Sequence, residues 1–295
     1  MFFSGSYVAL ITPWTKDLSD IDYGALKDLI EWQMASGTDG VLPAGTTGES
    51  ATLTHKEQHR LVEETVRIVA GRAKVLAGAG SNSTAEAASL AERAKNAGAD
   101  GILVITPYYN RPTPEGLYRH FGTVAEKCDL PMMMYNVPSR TGTNMLPQTV
   151  ARIAKAYPSI VCVKEASGSV DQASQIIDLT GGKFGVMSGD DSLALPTIAV
   201  GGDGVVSVVA NLAPAETRQM TAAALAGDYA TARELHYRLY PLMKACFVET
   251  NPAPTKTALT MLGRIDGGMR LPMTPLQPEN EEIMRAALRK VGLVR

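Results

Sequence analysis

Cysteine is scarce: Cys128, Cys162 and Cys246 are the only three in 295 residues, an odd number with no CxxC spacing. That argues against a disulfide framework, which a chain of this length does not need, and suits a reducing compartment. A surplus of positive charge is missing too. With 28 Lys and Arg against 30 Asp and Glu, the formal net charge is -2, which gives no general pull toward nucleic acid or anionic membrane. No apolar run approaches the roughly 20 residues that span a bilayer, and the run at 7–11 is too short for a signal core and lacks a basic start. A cytoplasmic protein with a small-molecule ligand is expected. Histidine is also sparse, at four. His55 and His59 lie four apart on an expected helix, close enough to share a metal, but no third ligand emerges and the text between them is not HExxH. A polar helix face accounts for the pair, His120 and His236 have no companions, and no metal is expected.

What is present is a globular balance of 45% hydrophobic and 20% charged residues. Length alone allows one large α/β domain or two small ones. Short β-rich runs alternate with longer helical ones, the pattern of parallel strands joined by crossover helices. Eight strands are expected, at 7–12, 40–44, 74–79, 101–106, 131–136, 160–165, 185–188 and 204–208, and a closed (β/α)8 TIM barrel accommodates eight better than an open sheet. Three segments, SGTDGVL (36–42), AGADGIL (97–103) and VGGDGVV (200–206), repeat one junction of helix end, tight turn, Asp-Gly and strand. The glycines at 201–204 therefore read as a turn into a strand, since a phosphate cradle in a barrel would follow its strand. Thr54 with Glu57 and Ser83 with Glu86 have capping-box spacing, and Thr113 precedes Pro114 as a helix start. After about Pro214 strands cease. A catalytic barrel at 1–225 and a helical region at 226–295 packed on it, with a turn-rich break at 263–277, are expected.

The sixth strand, IVCVKEAS, places Lys164 on the face of Ile160 and Cys162, toward a barrel interior. A lysine at the carboxyl end of a barrel strand stands where such enzymes keep their chemistry, and an apolar wall disfavours its ammonium form. Its amine is then a nucleophile for a ketone, or else a structural lysine paired with Glu165. Tyr135, sharing a face with Met133, can point into the same cavity as a proton shuttle or simply as packing. Arg140, five residues on, suits a bidentate grip on a carboxylate, or is a solvated charge. The loop PAGTTGES at 43–50 can curl its N–H groups and two hydroxyls around an anion, or is a plain turn.

GTTGES at 45–50, YNVPSRTG at 135–142, VKEASG at 163–168 and SGDD at 188–191 occur in order within this eight-unit pattern. Together with the Asn251-Pro252 pair they make the whole chain resemble the pyruvate-dependent aldolases and lyases, and among them the dihydrodipicolinate synthase family. The resemblance implies a lyase in which Lys164 holds pyruvate as a Schiff base for condensation with aspartate 4-semialdehyde, feeding lysine and diaminopimelate synthesis without a cofactor. It implies a hydroxyl relay of Tyr135, Thr46 and Tyr109, the last reaching into a neighbouring subunit of a homotetramer built from tight dimers. Thr46 and Thr47 would hold the pyruvate carboxylate, Gly189 and the backbone around Val206 would shape the pocket, and Arg140 would receive the semialdehyde carboxylate. Some members are inhibited by lysine, and Ser50, Ala51, His55, Asn82, Glu86 and Tyr108 match the positions that contact it. Gln58 stands where inhibited members can carry a second histidine. The resemblance extends to sibling enzymes, N-acetylneuraminate lyase and the keto-deoxy sugar-acid aldolases, which share the lysine, the tyrosine and the GTTGE-type loop. Arg140 disfavours them, because it suits a short aldehyde with a carboxylate. A non-catalytic keto-acid sensor would have no use for Lys164.

Overall fold

Eight parallel strands close on themselves in a computed structural model of the chain, which describes residues 1–294. They are β1 (Gly5–Ala9), β2 (Gly40–Leu42), β3 (Lys74–Gly78), β4 (Gly101–Ile105), β5 (Met132–Asn136), β6 (Ile160–Glu165), β7 (Gly185–Ser188) and β8 (Gly204–Ser207). The order around the barrel is the order in sequence, and β8 pairs with β1 to close it. The TIM barrel expected from the sequence is therefore the observed fold. β1 differs most from expectation, beginning two residues earlier and ending at Ala9. Its continuation leaves the ladder because side chains take its polar groups. The Ile11 N–H donates to Asn211 Oδ1 at 3.1 Å, and the Thr12 carbonyl accepts from Lys256 Nζ at 2.9 Å.

Strand alternation divides the apolar residues into two cores. Phe3, Tyr7, Leu42, Leu76, Leu103, Met133, Cys162, Met187 and Val206 fill the barrel, and a larger cluster packs the helices on its outside. One alternation fails. The register of β5 and β6 shifts between Met132 and Met133, so Ile160 falls in the outer core while Cys162 and Lys164 keep the inner face. The expected common face of Ile160 with Lys164 is corrected by this bulge, which absorbs one residue.

The repeated Asp-Gly junction has a mechanical role. Asp39, Asp100 and Asp203 each stand just before an even strand and accept the backbone N–H of Ser6, Val75 and Val186 in the preceding odd one, at 2.8, 2.8 and 2.9 Å. The glycines that end the helices ahead of them, Gly37, Gly98 and Gly201, have positive φ. Thr54 and Glu57 form the expected capping box, and Thr113 caps the helix Pro114–Lys127. The second box is corrected. Ser83 accepts from the Glu86 N–H, but the Glu86 carboxylate turns instead to the Ser81 hydroxyl and to His55.

Beyond β8, the helix Pro214–Leu225 packs on β1. The helices Tyr229–Ala245, Ala253–Met261 and Pro278–Lys290 then lie against one another and the barrel. Among the described residues no helix is long and apolar enough to cross a membrane.

Candidate active site

Lys164 sits in β6 directly beside Tyr135 of β5, and its Nζ lies 4.2 Å from the centre of the phenol ring. It is 6% exposed. Burial pushes its pKa down to about 7, with Asp191 opposing that fall and Arg140 adding to it. Near neutrality a large share of the amine is therefore unprotonated and able to attack a carbonyl. The structural alternative, a pair with Glu165, is overturned by strand alternation. Glu165 points to the other face, where it accepts from Asn136 Nδ2 at 3.1 Å, Gln172 Nε2 at 3.0 Å and the Ser167 N–H at 2.7 Å.

Lys164 and Tyr135 open into a cavity of about 370 Å³ that Thr46, Thr47, Arg140 and Gly189 also line. Burial raises the Tyr135 pKa, and the Arg140 charge and the Thr46 hydroxyl pull it back. The phenol therefore stays protonated, as a donor must. Gly189 is required for space: a Cβ there would stand 2.7 Å from Ala166 Cβ and 3.0 Å from Lys164 Cε. Val206 lies in the barrel interior, and Val208, two residues on, reaches the cavity wall.

Tyr109 is not brought to Lys164. It has a φ of 73° and is 90% exposed, outside the cavity of its own chain. Ser50, Ala51, His55, Glu86 and Tyr108 do converge, on a second cavity of about 400 Å³ that shares Thr46, Tyr135 and Arg140 with the first. His55 Nε2 and Glu86 Oε1 are 2.7 Å apart there, and the Ser81 and His55 contacts hold the Glu86 carboxyl below its ordinary range. Gln58 lines this cavity, and its amide nitrogen donates to the Gly78 carbonyl at 2.8 Å. Asn82 lies outside the lining, with its carbonyl on Asn110 Nδ2 at 2.9 Å. His59 turns from His55 to Glu63 at 3.2 Å.

Three features escaped the sequence reading. Asp191, in the SGDD segment, is buried and accepts from the Ser207 hydroxyl and from the Val208 and Val209 N–H groups at 2.9 and 3.1 Å. Burial raises its pKa to about 6. Asn251 bonds to both Thr47 and Arg140. Glu49 of the GTTGES loop pairs with Lys256 at 2.6 Å, both side chains 1% exposed, and also accepts from Trp14 Nε1 at 3.0 Å. Glu49 and Lys256 are 207 positions apart, so no local pattern could join them.

The model of the dihydrodipicolinate synthetase family matches residues 2–291. A 4-hydroxy-tetrahydrodipicolinate synthase of Nitratidesulfovibrio vulgaris (strain Miyazaki F) is 50% identical over 294 residues, covering 100% of both chains. A dihydrodipicolinate synthase of Acinetobacter baumannii, solved in complex with pyruvate, is similar with a TM-score of 0.96 and 42% identity over 99% of each chain. One from Cyanidioschyzon merolae with lysine bound has a TM-score of 0.96 and 40% identity, again over 99% of each chain.

Proposed function

The chain belongs to the dihydrodipicolinate synthetase family, and from that premise we propose that Lys164 is the residue on which its pyruvate is held. The protein is a lyase, a 4-hydroxy-tetrahydrodipicolinate synthase acting in lysine and diaminopimelate biosynthesis. Its second substrate is aspartate 4-semialdehyde. The observation that carries the assignment of Lys164 is a buried lysine at the carboxyl end of a barrel strand, in contact with a buried phenol and open to a cavity.

Each step asks something of a named group. The neutral Lys164 amine adds to the pyruvate ketone and water leaves, giving a protonated imine. The imine draws electrons from the methyl carbon, which loses a proton to become an enamine. That carbon bonds to the semialdehyde carbonyl, whose oxygen is protonated. The amine of the second substrate then attacks the imine carbon and expels Lys164, closing the ring. Because the imine is its own electron sink, this course calls for no metal or diffusible cofactor. Thr46 and Tyr135 pass the protons, with Tyr109 of a second copy completing the relay. Thr46 and Thr47 hold the pyruvate carboxylate, Gly189 and the β8 exit shape the wall, and Arg140 takes the semialdehyde carboxylate through its planar fork.

The exposure of Tyr109 supports an assembly in which it has somewhere to go, and we take that assembly to be a homotetramer of tight dimers in the cytoplasm. The second cavity suits lysine, with His55, Glu86 and Tyr108 around it. Borohydride reduction in the presence of pyruvate tests the central assignment. Peptide mapping is expected to find the adduct on Lys164, with turnover of aspartate semialdehyde and none of N-acetylmannosamine. An adduct on another lysine would sink the assignment.

A further inference from the structure

Asn251 stands where the C-terminal helices meet the cavity, and both ends of its side-chain amide are engaged. Its Nδ2 donates to Thr47 Oγ1 at 2.8 Å, and its Oδ1 accepts from Thr255 Oγ1 at 3.2 Å. Its main-chain carbonyl accepts from Arg140 Nη2 at 3.1 Å. Asn251 is 3% exposed, and Thr47 and Thr255 are buried with it.

The direction of these bonds matters more than their number. A threonine hydroxyl has one proton to give and lone pairs to receive with. Thr255 supplies a proton to Oδ1, which orients the amide so that its nitrogen faces Thr47. Thr47 then receives a proton from Asn251 and has no call to give its own in that direction. Thr47 also lines the cavity. The hydroxyl proton is thus left for whatever lies there, and an anion is the acceptor that gains most from a fixed donor.

We propose that Asn251 is a positioning residue: its amide turns the Thr47 hydroxyl proton toward the substrate carboxylate, and its carbonyl steadies Arg140 over the same cavity. The proposal rests on the reading that Thr47 holds the pyruvate carboxylate. It links the two carboxylate grips through one residue of the C-terminal region, making that region part of the binding machinery.

Because the amide and the carbonyl serve different partners, the side chain can be changed with the Arg140 contact left in place. In Asn251→Asp the new carboxylate can only accept, so it captures the Thr47 proton and sets a negative charge near an incoming carboxylate. Steady-state kinetics of Asn251→Asp should show the pyruvate KM raised about tenfold or more, the worth of one lost charge-assisted hydrogen bond. Asn251→Ala should raise it by less. The semialdehyde KM should stay within about twofold in both, since Arg140 leans on main chain. Thr47→Val should raise the pyruvate KM alone, and the double variant with Asn251→Asp should be no worse than the poorer single one.

A pyruvate KM in Asn251→Asp equal to the parent's, with Thr47→Val impaired, overturns the proposal and leaves the role of Thr47 standing. Equal rises in both KM values with a fall in kcat, in the Asp and Ala variants alike, would reduce Asn251 to a structural role and likewise overturn it. A Thr47→Val enzyme with the parent's pyruvate KM overturns the reading of Thr47 and the proposal together.

Discussion

At Lys164 two influences oppose each other: the barrel interior strips water from the ammonium, and the buried Asp191 restores part of its stability. The sign of the outcome is testable. Imine formation needs the neutral amine, so borohydride trapping of pyruvate should rise with pH through a midpoint near 7, far below the ordinary lysine range of about 10.4. Asp191 favours the charged form, so Asp191→Asn should move that midpoint to lower pH. A midpoint that stays put would remove Asp191 from the electrostatics of the site. The lysine itself was legible because a charged residue at the end of an apolar strand is conspicuous. Asp191 was not, although it stands in the quoted SGDD segment, because its importance comes from burial and from β8 groups that a linear text does not bring beside it.

At the scale of elements, the sequence announces what is local. Alternation and Asp-Gly junctions located the strands, and Thr54 with Glu57 named a helix start correctly. The same spacing named the start at Ser83 as well, although there the Glu86 carboxylate goes to Ser81 and His55 and not back to the cap. The β6 bulge left no mark either, since Ile160 and Val161 suit an inner or an outer face equally. Long-range ties are the other blind spot, and the Glu49–Lys256 pair is the chief of them. Removing one member of a buried pair strands the other charge, at a cost of about 3–5 kcal/mol. Lys256→Met should therefore lower the thermal transition by several degrees and weaken pyruvate binding, because Glu49 ends the loop that carries Thr46 and Thr47. Calorimetry and pyruvate titration check both, and an unchanged melt would show that the pair contributes nothing net.

For the molecule as a whole, the role proposed for Tyr109, 90% exposed on its own chain, is the test of whether an assembly completes the site. On the proposed relay, Tyr109→Phe should cut kcat roughly a hundredfold, the low end of general acid–base contributions. Pyruvate binding should be nearly intact, so borohydride should still trap it on Lys164 to nearly the parent extent. Dilution to dissociated subunits, followed by sedimentation, should reproduce the same loss without a substitution. Full turnover by a dissociated chain would end the relay's claim on a neighbour.

The closure of the barrel has a consequence for how the protein is made. β1 is bonded on one side to β2 and on the other to β8, and Asn211 clasps it by accepting from the Ile11 N–H and donating to the Ala9 carbonyl at 2.8 Å. Those partners lie about 200 positions later in the chain. On the ribosome, where the amino end emerges first, β1 must wait with one edge unsatisfied until residues 204–211 have been synthesised and released from the tunnel. The last strand to be translated is thus the one that seals the first, and the nascent chain is most exposed to mispairing in the interval just before it arrives.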